Sequence, residues 1–397
     1  MHLSQRITTL NGGGSDGWGV FYRARQMIAE GTAVTELTIG EHDIRTHPSI
    51  LAAMDRAATG GHTGYAMVPG IAALRDTVAA RIQARTGVPT TRDNILITPG
   101  GQAALFAAHM AVCDPGDTAL YIDPYYATYP GTIRAAGARP RAIVTRAADA
   151  FLPRPEALAQ AAPGATSLLI NSPNNPTGVV YDRATLAHVA QTCQDHDLWL
   201  ISDEVYDTQV WEGEHLSPRA LPGLADRTLV IGSMSKSHAM TGSRCGWIAG
   251  PPEAIERLID LATNTTYGVP GFVQDAAVFA LTAGDELEAE IAAPFRRRRQ
   301  LAHAILAQQS CVGLIPSQGA MYLMLDIRAT GLDGEGFATA LLETHHIAVM
   351  PGESFGSAAA GHIRVAMTIE DDAFAAALSR LCTFAADLAA QNTQVAQ

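Results

Sequence analysis

Between Asn94 and Gly232 short apolar runs recur at intervals that leave room for a helix after most of them. Ile95-Leu-Ile-Thr98, Ala119–Ile122, Ser167–Asn171, Leu198–Ser202 and Leu229–Gly232 are strand-length, and Gly, Pro, Asn or Asp follows closely after most of them. Strands alternating with helical stretches predict an α/β fold whose central sheet is mostly parallel and covered on both faces. Sheets of this kind bind ligands at the carboxyl ends of their strands. The residues just after each apolar run are therefore the ones to read for chemistry.

One of those ends carries the only lysine in the chain. Of 27 Lys and Arg residues, 26 are arginine and one is Lys236, within Ser233-Met-Ser-Lys-Ser-His-Ala-Met-Thr-Gly-Ser-Arg244. Arginine can supply positive charge, but it cannot lose a proton and attack a carbonyl. A coding bias toward arginine explains why lysine is rare. It does not explain why the survivor closely follows the buried run Thr228-Leu-Val-Ile-Gly232. That placement favours an amine that forms a Schiff base.

At 397 residues the chain exceeds one small core and fits a large domain with a smaller partner. We expect an N-terminal arm and part of the small domain in 1–45, a large domain in 46–285, and a smaller α+β domain in 286–397. Hydrophobic residues make up 47% and charged ones 17%, the balance of a well-buried globular enzyme. A formal charge of −12 argues against a nucleic-acid surface. The run Arg296–Arg299 reads as a solvated helix face. Cys113, Cys193, Cys245, Cys311 and Cys382 are odd in number and form no CxxC pair, so neither a disulfide framework nor a metal site is expected. No apolar run reaches the length of a membrane span and no signal-peptide core is present, which predicts a cytoplasmic protein without a membrane partner.

Several strand ends carry polar groups. Asn171-Ser-Pro-Asn-Asn175-Pro-Thr-Gly178 is a turn that leaves an asparagine amide at the sheet edge, and it is also a good turn sequence in its own right. Asp203-Glu-Val-Tyr206 puts a carboxylate at the end of a buried strand, where it needs a partner such as a protonated pyridine nitrogen; an N-cap is the alternative. Arg244 could grip a phosphate or form a surface ion pair. Thr98-Pro-Gly-Gly-Gln102, a tight turn before an apolar helix from Ala103 to Val112, can aim backbone N–H groups at an anion.

With Tyr65…Gly70, Pro124-Tyr-Tyr126-Ala-Thr-Tyr and Ile363-Arg364 added, in this order and spacing, the chain resembles the class I/II (fold type I) aminotransferases that use pyridoxal phosphate. The likeness runs from about Thr35 to the C-terminal helix. It implies that Lys236 bonds the cofactor and shuttles the proton, and that Asp203 pairs with the ring nitrogen. Asn175 and Tyr206 would bond the ring oxygen, and Tyr126 would stack on the ring. Gly101, Gln102, Ser233 and Arg244 would hold the phosphate, and Tyr65 would reach the phosphate of a neighbouring subunit in a homodimer. Arg364, with Gly40 and Asn175 nearby, would bind the substrate carboxylate. The reaction implied moves an amino group from an L-amino acid to a 2-oxo acid by a ping-pong route; β-elimination on the same fold is the alternative. The framework is most similar to bacterial aspartate and arginine–pyruvate transaminases. Three features stand out. His42 replaces the proline of a common Gly-Glu-Pro-Asp-Phe, and Gln102 replaces a lysine of aspartate-preferring relatives. Trp18 is either a lid over the substrate or a core anchor.

Overall fold

The structure, a computed structural model, describes residues 1–12 and 17–395, with side chains to Asn392. Its centre is a seven-stranded sheet. In spatial order the strands are Ile95–Thr98, Gly246–Ala249, Thr228–Ser233, Trp199–Asp203, Ser167–Asn171, Thr118–Asp123 and Arg139–Val144. Only Gly246–Ala249 runs against its neighbours. The sheet is thus mostly parallel, and its interior strands are buried along nearly their whole length because helices cover both faces.

Two strands went unseen in the sequence. Arg139–Val144 is an edge strand with Arg139, Arg141 and Val144 exposed, and its Pro140 is tolerated because an edge strand has one unpaired side. Gly246–Ala249 has only four residues. The helix expected from Ala103 begins at Gly100, so the glycine pair forms its first turn. Gly100 has φ +79°, and a Cβ there would collide with the Arg244 guanidinium.

A second, antiparallel sheet joins Met350–Pro351, His362–Ala366, Tyr322–Asp326 and Gly313–Leu314. Its core takes in Phe295, Phe337, Phe374 and Leu381 from the flanking helices, together with Val20, Met27 and Leu37 from the beginning of the chain. Thr35–Glu36 pairs in parallel with Ile347–Ala348, which carries the early segment onto this core. Within the expected N-terminal arm, Gln5–Thr8 is a helical turn, and residues 13–16 lie outside the described residues.

Two further expectations need correcting. Asp371–Asn392, inside the final helix, has the length and mean hydropathy (1.4) of a membrane span. Its Phe374, Ala377, Leu378, Leu381 and Ala385 are nevertheless buried in the core just described, which accounts for the apolar character. The arginine run is a solvated face only at Arg296 and Arg297. Arg298, 3% exposed, bonds Asp43 at 2.6 and 3.0 Å, Asp371 at 2.8 Å and the Met367 carbonyl at 3.0 Å. Arg299 bonds the Ser317 carbonyl and Glu212. Charge count alone cannot separate a solvated arginine from one whose donors are used inside.

Breaking a buried pair leaves the other charge stranded. Arg298→Met should therefore cost about 3 kcal/mol in urea unfolding, whereas Arg297→Met should cost less than about 1 kcal/mol. Equal losses for the two variants would contradict the buried network.

Candidate active site

A pocket of about 290 Å³ opens where the parallel strands end. The strand Thr228–Ser233 is followed by a single helical turn, Met234–Ser237, which carries Lys236. Its Nζ donates to the Gly40 carbonyl. Burial lowers the proton affinity of this amine, and the positive charges of Arg364 and Arg244 act in the same direction against Tyr322 and Glu41.

Asp203 ends the neighbouring strand and is 4% exposed. It accepts from the Tyr129 hydroxyl at 2.6 Å and from the Val205 N–H at 3.3 Å. No cation is paired with it among the described residues, and burial holds its carboxyl up at about 6 against an ordinary 3.8. Arg364 comes from the antiparallel sheet and is 1% exposed. Its guanidinium lies between the rings of Tyr322 and Phe355, with centroids at 4.4 and 4.3 Å. It donates to Asn175 Oδ1 at 2.8 Å and to the Thr38 carbonyl, while its Nε has no partner. No acid among the described residues neutralises it, and burial lowers its proton affinity.

Gly100, Gly101 and Gln102 form the start of the helix Gly100–Val112, so their N–H groups face outward from a helix N-terminus. Arg244, held at φ +50°, arches over this turn, with Ser233 beside it in the pocket wall. Gly246 is required here because a Cβ would press on the Gly100 and Gly101 backbone. Tyr126 lines the wall, edge-on to Tyr129 at 5.8 Å. The Tyr206 hydroxyl bonds that of Tyr322 at 3.0 Å, and Asn175 lies at 3.5 Å from the same oxygen.

The fold thus gathers Gly40, Gly101, Gln102, Tyr126, Asn175, Asp203, Tyr206, Ser233, Lys236, Arg244 and Arg364 around one pocket. Tyr65 is elsewhere: it is 91% exposed and edge-on to Tyr267. The Gln102 side chain is engaged by Thr132 at 2.8 Å and Thr128 at 3.0 Å. Trp18 lines the pocket, as the lid reading requires. His42 does not; it lies behind Lys236. Glu204 is structural, accepting from His215 and Ser217. Tyr129, Tyr322 and Phe355 were missed. Tyr129 stands three residues after Tyr126, a helical spacing that could have flagged it, whereas nothing in Gly319–Asp326 told which face Tyr322 would take.

A profile for aminotransferase class I and II matches residues 32–381. The chain is 39% identical to the arginine–pyruvate transaminase of Pseudomonas aeruginosa over 98% of its own length and 100% of that protein's. It is 35% identical to the aspartate/prephenate aminotransferase of Thermus thermophilus, covering 90% of this chain and 92% of the other. The solved structure of the T. thermophilus aspartate aminotransferase with maleate superposes with a TM-score of 0.89, at 32% identity, over 96% of this chain and 100% of that one. The chain belongs to the class I and II aminotransferases. It moves an amino group from an amino acid to a 2-oxo acid, and the elimination alternative finds no support among these relatives. The family uses pyridoxal phosphate. The residues fit that cofactor: Asp203 has room for a cationic partner, and a helix start, a serine and an arginine converge where a phosphate would lie.

Asp203 makes the cofactor-free protein pH-sensitive in a defined direction. Because its carboxyl is raised on folding, the unfolded chain ionises first, so this contribution to stability is full below about pH 4 and is lost as pH climbs through about 6. The total is on the order of 2–3 kcal/mol. Asp203→Asn does not ionise and escapes this loss, so it should be the more stable protein above pH 6 without cofactor, with the gap closing near pH 4. Thermal melts across that range check this; a gap that is constant with pH would contradict it.

Proposed function

We propose that Lys236 is the reacting amine of this aminotransferase and that Arg364 binds the substrate α-carboxylate. The carrying observation is the buried, unneutralised Arg364 in the same pocket as the chain's one lysine. An arginine packed against two rings has less freedom to turn, and its paired donors suit a carboxylate. Asn175, bonded to Arg364, orients it from the other side. When bound, pyridoxal phosphate supplies an aldehyde for the amino group and a cationic ring that withdraws electrons from the substrate Cα. Asp203 holds the proton on the ring nitrogen, and Tyr129 holds Asp203 in place. The Gly101 and Gln102 N–H groups, Ser233 and Arg244 would hold its phosphate, Tyr126 would stack on its ring, and Asn175 and Tyr206 would bond its ring oxygen. Lys236, its proton affinity lowered by burial, would take the Cα proton as a general base.

The donor we infer is an amino acid without a side-chain acid, arginine first, with pyruvate as acceptor. The identity to the arginine–pyruvate transaminase supports this, as does the pocket itself. Its three cations are Lys236, Arg244 and Arg364, each already assigned, and Gln102 is neutral. Glu41 is the exposed acid in its wall. We further infer a homodimer acting in the cytoplasm. Tyr65, Met67 and Tyr267 form an exposed apolar patch, suited to a second copy whose pocket Tyr65 would complete. The five cysteines are unbridged.

Double-reciprocal plots at several acceptor concentrations should be parallel, and kcat/KM for arginine should exceed that for aspartate by about tenfold or more. Lys236→Arg should abolish transfer, and Arg364→Lys should mainly raise KM. A preference for aspartate would overturn the donor, and intersecting lines the two-step order. Mixing inactive Lys236→Ala subunits with Tyr65→Phe subunits should raise activity above that of Tyr65→Phe alone, because one site per mixed dimer is then intact. No gain on mixing would count against shared sites.

A further inference from the structure

Lys236 lies in a helix of a single turn, Met234–Ser237. Such a turn has no successor whose N–H groups reach back to its last carbonyls, so the Lys236 carbonyl must find donors elsewhere. Two side chains from different segments supply them: Gln209 Nε2 at 3.2 Å and His42 Nε2 at 3.0 Å. A carbonyl can only accept, so His42 Nε2 carries the hydrogen, and the buried Nδ1 is left without a partner. Burial, then the nearby Lys236, drives the imidazole down to about 3 against a weaker pull from Asp43, so the ring is neutral at any ordinary pH. It packs edge-on against Phe295 at 5.3 Å.

The segment that carries His42 also holds the far end of the same lysine, since Gly40 accepts from Nζ. Glu41 accepts from the Thr241 hydroxyl at 3.1 Å, and the Thr46 hydroxyl donates to the Ala239 carbonyl at 2.6 Å. Asp43 is fixed to Arg298. Residues 40–46 thus grip the turn 236–241 at several points and are anchored through Phe295 and Arg298 to the helix Glu286–Leu306.

We propose that His42 is a positioning residue for Lys236: its ring N–H fixes the lysine main chain so that the amine stays in the buried pocket against Gly40. The inference rests on Lys236 being the reacting amine. Tyr322 and Glu41 face that amine and favour its charged form, while Arg364, Arg244 and burial favour the neutral one. With one of its two tethers gone, the turn relaxes, and the amine moves out of the buried pocket toward Glu41 and water. It then holds its proton more tightly and is a poorer base at neutral pH.

Because Lys236 is the only lysine, amine labelling followed by peptide mass analysis reports on it alone, with the N-terminal amine resolved separately. The full-length protein is compared with His42→Phe, which keeps a ring against Phe295 but has no donor, and His42→Gln, which keeps an N–H. Without cofactor, the pH midpoint for labelling of Lys236 should rise by about half a unit or more in His42→Phe and return toward wild type in His42→Gln. Gln209→Leu, which removes the other donor, should shift it in the same direction and serves if His42→Phe does not fold. In the loaded enzyme His42→Phe should lower kcat about tenfold with little change in KM. Identical midpoints in all variants, even with a lower Tm in His42→Phe, would overturn the proposal. If borohydride treatment of the loaded wild type leaves no cofactor mass on Lys236, it is the underlying assignment of the lysine that fails.

Discussion

Two buried charges of opposite sign face the pocket, and the described chain neutralises neither. Arg364 and Asp203 are 1% and 4% exposed, yet neither has an ion-pair partner among the described residues. Several kcal/mol per ion oppose such an arrangement, so it persists only where the rest of the fold is rigid enough to hold it. The rings of Tyr322 and Phe355 fix the plane of the guanidinium without cancelling its charge, and Tyr129 does the same for the carboxylate by a neutral hydrogen bond. On the proposed reading, a substrate carboxylate at Arg364 and a cationic ring at Asp203 would complete what the chain leaves open. The charges stay where they are needed and require no reorganisation when the ligand arrives.

That arrangement depends on two cores forming together. Asp203 and Lys236 stand on the large sheet, while Arg364 and Tyr322 stand on the small one. Beside apolar contacts such as Met324 in the core of the large sheet, polar groups with fixed geometry join the two. Asn175 bonds Arg364, Tyr206 bonds Tyr322, and Asp43 links Arg298 to the segment that grips Lys236. Gly40 lies at this junction, where a Cβ would collide with the Tyr322 hydroxyl. The closeness of the two sheets therefore rests on a missing side chain as much as on those that are present.

Much of this was legible in the sequence, for an identifiable reason. Asp203 ends a buried strand, and Gly101, Lys236 and Asn175 come three or four residues after one, so local pattern and turn chemistry place them at the same sheet edge without any knowledge of packing. The resemblance added Arg364 and Gly40, which lie far away in the chain. What remained hidden depends on contacts between distant segments. The side of the sheet taken by Tyr322, the bond from His42 to Lys236 and the burial of Arg298 are set by partners 116, 194 and 255 residues away. The run Arg296–Arg299 shows the limit most clearly: four identical letters divide into two exposed and two buried side chains, and the buried two are set apart by distant partners, Asp43 and the Met367 carbonyl for Arg298 and the Ser317 carbonyl for Arg299.

The use of a single lysine follows from the same chemistry. Arginine stays charged at every pH at which a protein folds, so it can hold an anion or another residue but cannot exchange a proton during a reaction. Arg244 over the helix start, Arg364 in the pocket and Arg298 between the cores are all holding roles, and the chain fills them with arginine. Taking a proton from carbon requires a group whose charged and neutral forms are both accessible. Burial lowers the proton affinity of the Lys236 amine, and the neighbouring arginines assist by disfavouring its charge. Arg364 and Arg244, proposed to hold the ligands, therefore also lower the proton affinity of the amine proposed to react, so binding and reactivity are linked in one pocket.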